Sequence, residues 1–148
     1  MKRIITSIVI AFLLLGCGRF NKPEQTEVEN FVKGYCSILQ RVYAEARLEI
    51  LANVATEKEY KKVFPVVQAL KATNNVMKTE VLDFKVKGAT VQGSQATVRT
   101  SERWRYWWED RKTGAITKPK VEESYDLEYN LLKVKGTWRV DLIKGLDQ

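Results

Sequence analysis

Histidine is absent from this chain of 148 residues. Its absence excludes Ser–His and Cys–His nucleophile pairs and His-ligated zinc sites. Cysteine occurs only twice, at Cys17 and Cys36, and no glycine-rich loop suited to cradling a phosphate is present. We therefore predict a protein that is not an enzyme, with no catalytic residues, no metal and no cofactor.

A concentrated basic segment is also missing. The formal net charge is +7, from 25 basic and 18 acidic side chains, and the two signs alternate along the chain. Because nucleic-acid binders gather Lys and Arg on one face, we predict no nucleic-acid partner. With 45% hydrophobic and 29% charged residues, the composition is that of a folded globular protein.

The N-terminus has the pattern of an export signal. Lys2 and Arg3 precede an apolar run at residues 4–15, which is too short for a membrane-spanning helix of about 20 residues. The run ends in LLGC at residues 14–17, which resembles the lipobox of bacterial lipoproteins. That resemblance implies cleavage between Gly16 and Cys17 and attachment of diacylglycerol to Cys17.

Three segments follow from this interpretation. Residues 1–16 are a signal peptide, residues 17–25 are the lipidated Cys with a short tether, and residues 26–148 are a single domain. The mature protein is expected in the cell envelope, held to the bilayer through acylated Cys17. Residue 18 is Gly and not the Asp that serves as an inner-membrane retention signal. In a bacterium with two membranes, the mature protein is therefore expected on the outer membrane, facing the periplasm or the cell surface. The alternatives are an ordinary secretory signal and a Cys that follows an apolar run by coincidence.

The first half of the domain has helical periodicity. Apolar residues recur at steps of three and four and predict a helix over residues 23–52. Thr56 with Glu59 three residues later predicts a capping box for a second helix, which Pro65 should kink or split and Asn74 should end. Cys36 lies beside the apolar stripe of the first helix and is predicted to be a buried, inert thiol.

From Val76 onward the period changes to two, which is typical of half-buried strands. Strands are predicted around residues 82–86, 96–108, 118–132 and 138–142, joined by short turns. The predicted fold class is α+β: a long N-terminal helix and a second, kinked helix packed on a curved antiparallel sheet of about four strands.

Four segments of these strands resemble a known family. They are ATV at 96–98, ERWRY at 102–106, YDLEYNL at 125–131 and GTWRVD at 136–141. Together they resemble the strand core of nuclear transport factor 2-like domains, cone-shaped α+β domains of cystatin-like type. More narrowly they are similar to IMS-type domains of plastid-division and bacterial envelope proteins. The resemblance implies a groove or pocket that receives a partner without catalysis.

Two groups of residues are candidates for the site. The second and third strands carry acidic and aromatic residues in phase, so these side chains are candidates to line a pocket inside the cone. They are Glu102, Trp104, Tyr106, Glu123 and Tyr125. A carboxylate there could act as acid, base or ligand contact. The alternative is that the two glutamates lie near the sheet edge or pair with Arg103 or Arg105.

The second group is a candidate binding surface of Arg103, Arg105, Trp107 and Trp108. Trp and Arg dominate interface energetics, so an outward Trp among arginines is typical of a protein-binding hot spot. The alternatives are insertion of the Trp into the membrane interface and cation–π packing on the outer face of the sheet.

The predicted function is that of a membrane-anchored lipoprotein whose domain binds a protein partner or small ligand in an accessory or assembly role. One alternative is a cone-fold enzyme that uses Glu102 with Tyr106 or Tyr125. Another is an inhibitor or protective lipoprotein that occupies the active site of another molecule.

Overall fold

The computed structural model describes residues 22–146. The signal peptide, the cleavage site at Gly16–Cys17, the lipidation of Cys17 and most of the tether lie outside these residues. The described elements follow one another in a simple order. They are α1 (Pro23–Glu45), a 3₁₀ helix (Leu48–Leu51), α2 (Glu57–Ala72), β1 (Asn75–Gln92), β2 (Gln95–Asp110), β3 (Ile116–Val134) and β4 (Thr137–Gly145).

The four strands form one antiparallel sheet in the order β1-β2-β3-β4, and the helices pack on it. The predicted α+β fold class is confirmed. The register of β1 against β2 shifts between Val81 and Asp83 and again between Val86 and Gly88. Such irregularities bend a strand and increase its twist, and here they lie in an edge strand that packs against α1.

The predicted end of the first helix is wrong. The helix ends at Glu45, and Ala46 adopts a left-handed conformation with φ of 48°. The chain then turns into the 3₁₀ helix, which buries Leu48 and Leu51 in the core. The apolar period continues through this turn because the same core receives these side chains, so periodicity alone did not show where the helix stops.

The second helix begins where it was predicted, but the capping box is wrong. Thr56 Oγ1 donates to Asp141 Oδ1 at 2.8 Å, and Glu59 accepts a hydrogen bond from the Ile143 amide at 3.3 Å. Both side chains therefore connect α2 to β4 instead of capping the helix. The helix continues through Pro65 and is not split.

The core lies between the concave face of the sheet and the apolar side of the helices. Its most completely buried side chains include Val98, Tyr129, Leu131 and Val140 from the sheet, each at most 1% exposed. They pack in one cluster with the buried side chains of α1, the 3₁₀ helix and α2. No helix within residues 22–146 is both long enough and apolar enough to cross a bilayer.

Candidate functional site

The two faces of β2 meet different surroundings. On the concave face, Ala96, Val98, Thr100 and Glu102 are buried, whereas the rings that continue this face toward Trp108 are only half-buried. The change follows the length of β4, which pairs with β3 only over residues 127–134. Beyond that point β3 continues alone beside β2, and the half-buried rings of the concave face lie at this end.

A cavity of about 520 Å³ lies on this open part of the concave face. Its walls are mostly aromatic and aliphatic. The aromatic lining is Tyr43, Trp104, Tyr106, Trp108, Tyr125 and Tyr129. The aliphatic lining is Leu39, Val66, Met77, Leu127 and Ile143. Three polar side chains complete it: Thr79, Glu102 and Lys118. This size and composition are those of a small-molecule site.

Glu102 forms the polar floor of the cavity and is only 2% exposed. Its Oε1 accepts hydrogen bonds from Thr100 Oγ1 at 2.6 Å and from the Tyr129 hydroxyl at 2.8 Å. Its Oε2 accepts a bond from Trp104 Nε1 at 2.6 Å. Three donors aimed at one carboxyl group suit an ionised carboxylate, which only accepts.

The network continues to the first helix. Cys36 Sγ lies 3.7 Å from the Tyr129 hydroxyl, which already donates to Glu102, so the thiol is the donor. Burial, and after it the nearby Glu102 charge, raises the pKa of Cys36 to about 12. Burial also raises the pKa of Tyr129 far above its ordinary value. The thiol is thus buried and protonated at neutral pH, as the sequence predicted for Cys36.

The second predicted carboxylate lies outside the cavity lining. Glu123 is exposed and accepts a hydrogen bond from the hydroxyl of Tyr125, which does line the cavity. Hydrogen bonds from Tyr125 and Tyr106 lower the pKa of Glu123. The pKa of Tyr106 is raised chiefly by its hydrogen bond to Glu123, and that of Tyr125 chiefly by burial. Of the five predicted pocket residues, four therefore line one cavity and Glu123 stands at its rim.

Lys118 is a site residue that sequence reasoning missed. Its ammonium nitrogen lies 3.5 Å from the centroid of the Trp108 ring, in cation–π contact. Trp108 pairs with Lys118 across β2 and β3, beyond a register shift that begins at Tyr106. Only the strand register brings these two residues together, and no local sequence pattern indicates it. Tyr129 was missed as well, although it shares the period of Tyr125.

The predicted binding surface is divided between the two faces of the sheet. Trp108 lines the cavity, whereas Trp107 lies on the convex face, where Lys120 Nζ is 4.4 Å from its ring centroid. Trp107 Nε1 donates to Glu109 at 2.7 Å. On the same convex face Arg103 is exposed. The four residues therefore do not form one surface.

The arginines of the convex face pair mainly with acidic neighbours on the flanking strands. Arg105 bridges Glu80 at 2.9 Å and Glu122 at 2.6 Å. Neither Glu102 nor Glu123 forms an ion pair with Arg103 or Arg105 in the described part of the chain. The alternative that these arginines neutralise the two predicted pocket acids is thus not what the structure shows.

The arrangement offers hydrogen-bond acceptance, aromatic faces and apolar surface. Among residues 22–146 no group of three His, Cys, Asp or Glu side chains is placed to hold a metal ion. The hydroxyl of Thr79, in the cavity wall, is buried without a hydrogen-bond partner within the described chain.

Comparison with known proteins identifies the fold. No family model matches the chain, and no curated protein matches it. Solved structures do match. The intermembrane space region of the chloroplast protein ARC6 superposes with a TM-score of 0.68 at 19% identity, covering 86% of this chain and 99% of that one.

Two further structures give the same result. A nuclear transport factor 2-like superfamily protein from Salmonella enterica serovar Typhimurium has a TM-score of 0.53 at 10% identity, over 84% of this chain and 92% of that one. A ketosteroid isomerase-like protein from Erwinia carotovora atroseptica has a TM-score of 0.54 at 12% identity, over 86% and 99%. At these identities the likeness confirms the nuclear transport factor 2-like fold, and function has to be argued from the site.

Proposed function

We propose that this protein is a membrane-anchored envelope lipoprotein whose domain binds a ligand in the cavity on the concave face, as an accessory factor without catalysis of its own. The cavity is the observation that carries the proposal. It combines about 520 Å³ of space with a largely aromatic and aliphatic lining and a few convergent polar groups.

The hydrogen bonds of the cavity favour binding over the enzyme alternative. That alternative pairs Glu102 with Tyr106 or Tyr125. In the structure both tyrosines are directed toward Glu123, and Glu102 is held by Thr100, Trp104 and Tyr129 instead. A general acid or base must be within hydrogen-bond reach of its partner and its substrate, and this pair is not assembled.

The position of the anchor relative to the cavity supports the same proposal. Helix α1 is about 34 Å long at its 23 residues. Near its start, Gln25 donates to the carbonyl of Ala89, and at its last residue the guanidinium of Arg111 donates to the carbonyl of Glu45. Leu39 and Tyr43, in the C-terminal half of this helix, line the cavity. Helix α1 begins at Pro23, at the end away from the cavity, and an anchor that precedes it in the chain supports a cavity that faces the aqueous compartment.

This geometry disfavours one alternative for the tryptophans. Trp107 and Trp108 lie next to the β2–β3 loop, at the end of α1 that is far from the tether. Insertion of these rings into the bilayer beside the anchor would require the domain to lie down on the membrane. We therefore assign Trp108 to the cavity and Trp107 to cation–π packing on the convex face.

The anchor is tested with Cys17→Ser in the source cell type. The variant is expected to accumulate as an unprocessed precursor that takes up no labelled fatty acid. Normal maturation of this variant would contradict the lipoprotein proposal and leave the binding proposal standing.

Binding in the cavity is tested by filling it. The purified full chain is incubated with the small-molecule fraction of a cell extract, and retained ligand is measured by native mass spectrometry. Leu127→Trp should abolish retention because the larger ring occupies the cavity, whereas Trp107→Ala on the convex face should retain it. Equal retention by both variants, or none by the wild type, would refute the proposal.

A further inference from the structure

Glu102 is an unusual group for the floor of an apolar cavity. It is 2% exposed and forms no ion pair with a Lys or Arg within residues 22–146. Buried carboxylates are ordinarily paired with a cation. Its three hydrogen-bond donors are all neutral, so they orient the carboxylate without cancelling its charge.

The carboxylate also has acceptor capacity left. An ionised carboxylate offers about four lone-pair positions. Oε1 already accepts from Thr100 and Tyr129, whereas Oε2 accepts only from Trp104. One further donor can therefore be accommodated at Oε2, on the residue that forms the cavity floor.

The walls around this carboxylate suit a cation. Aromatic rings attract ammonium groups through their negative faces, and six aromatic side chains line the cavity. One of the rings already holds such a group, because the ammonium of Lys118 lies 3.5 Å from the Trp108 centroid. Glu123 adds a second negative charge at the rim. An anionic ligand would meet both carboxylates.

We propose, on the basis of the binding function above, that the ligand of this cavity is a small apolar amine in its protonated form. Its ammonium group donates to Glu102 Oε2 and faces the rings of Trp104 and Tyr125, and its apolar part packs against Met77 and Leu127. Lys118 stands at the Trp108 end of the cavity. Its positive charge repels the ammonium group of the ligand, so that group is expected at the Glu102 end of the cavity.

The proposal is tested by calorimetry on the purified full chain with three probes of similar shape: phenylbutylamine, phenylbutanol and phenylbutyrate. The amine should bind roughly tenfold or more tightly than the alcohol, because a desolvated cation–π contact and a charge-assisted hydrogen bond are added. Glu102→Gln should remove this preference. Glu122→Gln is the control, because Glu122 pairs with Arg105 on the convex face of the sheet, outside the cavity lining. It should preserve the preference to within about twofold because its charge is screened by solvent.

Lys118→Met provides a variant that leaves the buried network intact. Removing the like charge while keeping most of the aliphatic stem should tighten amine binding by about threefold at low salt. The same variant should therefore raise the preference for phenylbutylamine over phenylbutanol by about the same factor. Unchanged or weaker amine binding in this variant would overturn the proposal even if Glu102→Gln fails to fold.

The other outcomes separate the two proposals. If all three probes bind equally, or phenylbutyrate binds best, the amine assignment is wrong and the cavity remains a ligand site. If none of the probes binds while the wild type still retains a compound from the extract, the amine assignment is wrong on its own. If the extract compound is also absent, both proposals fail.

Discussion

The two halves of β2 have the same alternation of side chains but different surroundings. In residues 95–102 the concave side chains are buried in the core, and in residues 103–110 they line an open cavity. The polarity of the strand does not explain the difference, because the second half carries the larger aromatic surface. The width of the sheet differs between the halves: β4 ends at Gly145, opposite Leu127, so the first half of β2 belongs to a four-stranded part of the sheet and the second half to a three-stranded part.

This comparison shows how a candidate site can arise on a curved sheet without a dedicated sequence motif. β3 is longer than β4, and the same face of the sheet that forms a core at the four-stranded end forms a cavity of about 520 Å³ at the three-stranded end. Glu102 lies at the boundary, where its carboxylate closes the core and forms the cavity floor.

The largest expected effect comes from one substitution made at two positions on the concave face of β3, one in the core and one in the cavity lining. Leu131→Ala, in the covered half of β3, should lower the free energy of unfolding by about 2–5 kcal/mol because the site is closely packed. Leu127→Ala, beside the cavity, should lower it by about 1 kcal/mol, since the cavity already relieves the packing there. Urea denaturation measures both. Equal losses would show that the cavity does not loosen the packing around Leu127.

A smaller effect is expected at the boundary itself. Tyr129→Phe removes a donor to Glu102 and the acceptor of Cys36, so it should destabilise the fold by about 1–3 kcal/mol. Tyr35→Phe is the matched control, because the Tyr35 hydroxyl is also buried but has no partner among the described residues. Its removal should be neutral or stabilising. If the two variants lose the same stability, the Glu102 network does not contribute as the geometry indicates.

The smallest effect is expected where α2 meets β4, and it depends on pH. Burial raises the pKa of Glu59 above its ordinary 4.5, with Lys62 opposing the shift. The folded state therefore binds the proton more tightly than the unfolded state. The stability that this proton contributes is fully present below pH 4.5 and is lost as the pH rises through the raised pKa.

Glu59→Gln should accordingly raise the melting temperature at neutral pH and flatten its pH dependence above 4.5. The control is Glu57→Gln on the same helix, an exposed residue paired with Lys61. Glu57→Gln should leave the pH dependence of the melting temperature above pH 4.5 unchanged. A melting temperature that rises with pH through this range in the wild type would contradict the assigned direction.

Sequence patterns predicted the fold well where the physical signal is periodic. The change from a helical to a strand period near Val76 located the sheet, and alternation along β2 placed Glu102, Trp104 and Tyr106 on one face. The patterns failed where a partner far along the chain decides the outcome. Thr56 and Glu59 fit a capping box locally, but β4 offers both side chains partners that a local pattern does not contain.

The candidate site shows the same division. By itself the sequence determined which side chains share a face, because successive residues of a strand must point to opposite sides. Only the tertiary structure decided which part of that face is covered, that Lys118 lies over Trp108, and that Glu102 is held by Thr100, Trp104 and Tyr129. These facts depend on strand register and on where β4 ends, which are set by packing between distant segments and not by the residues next to each site.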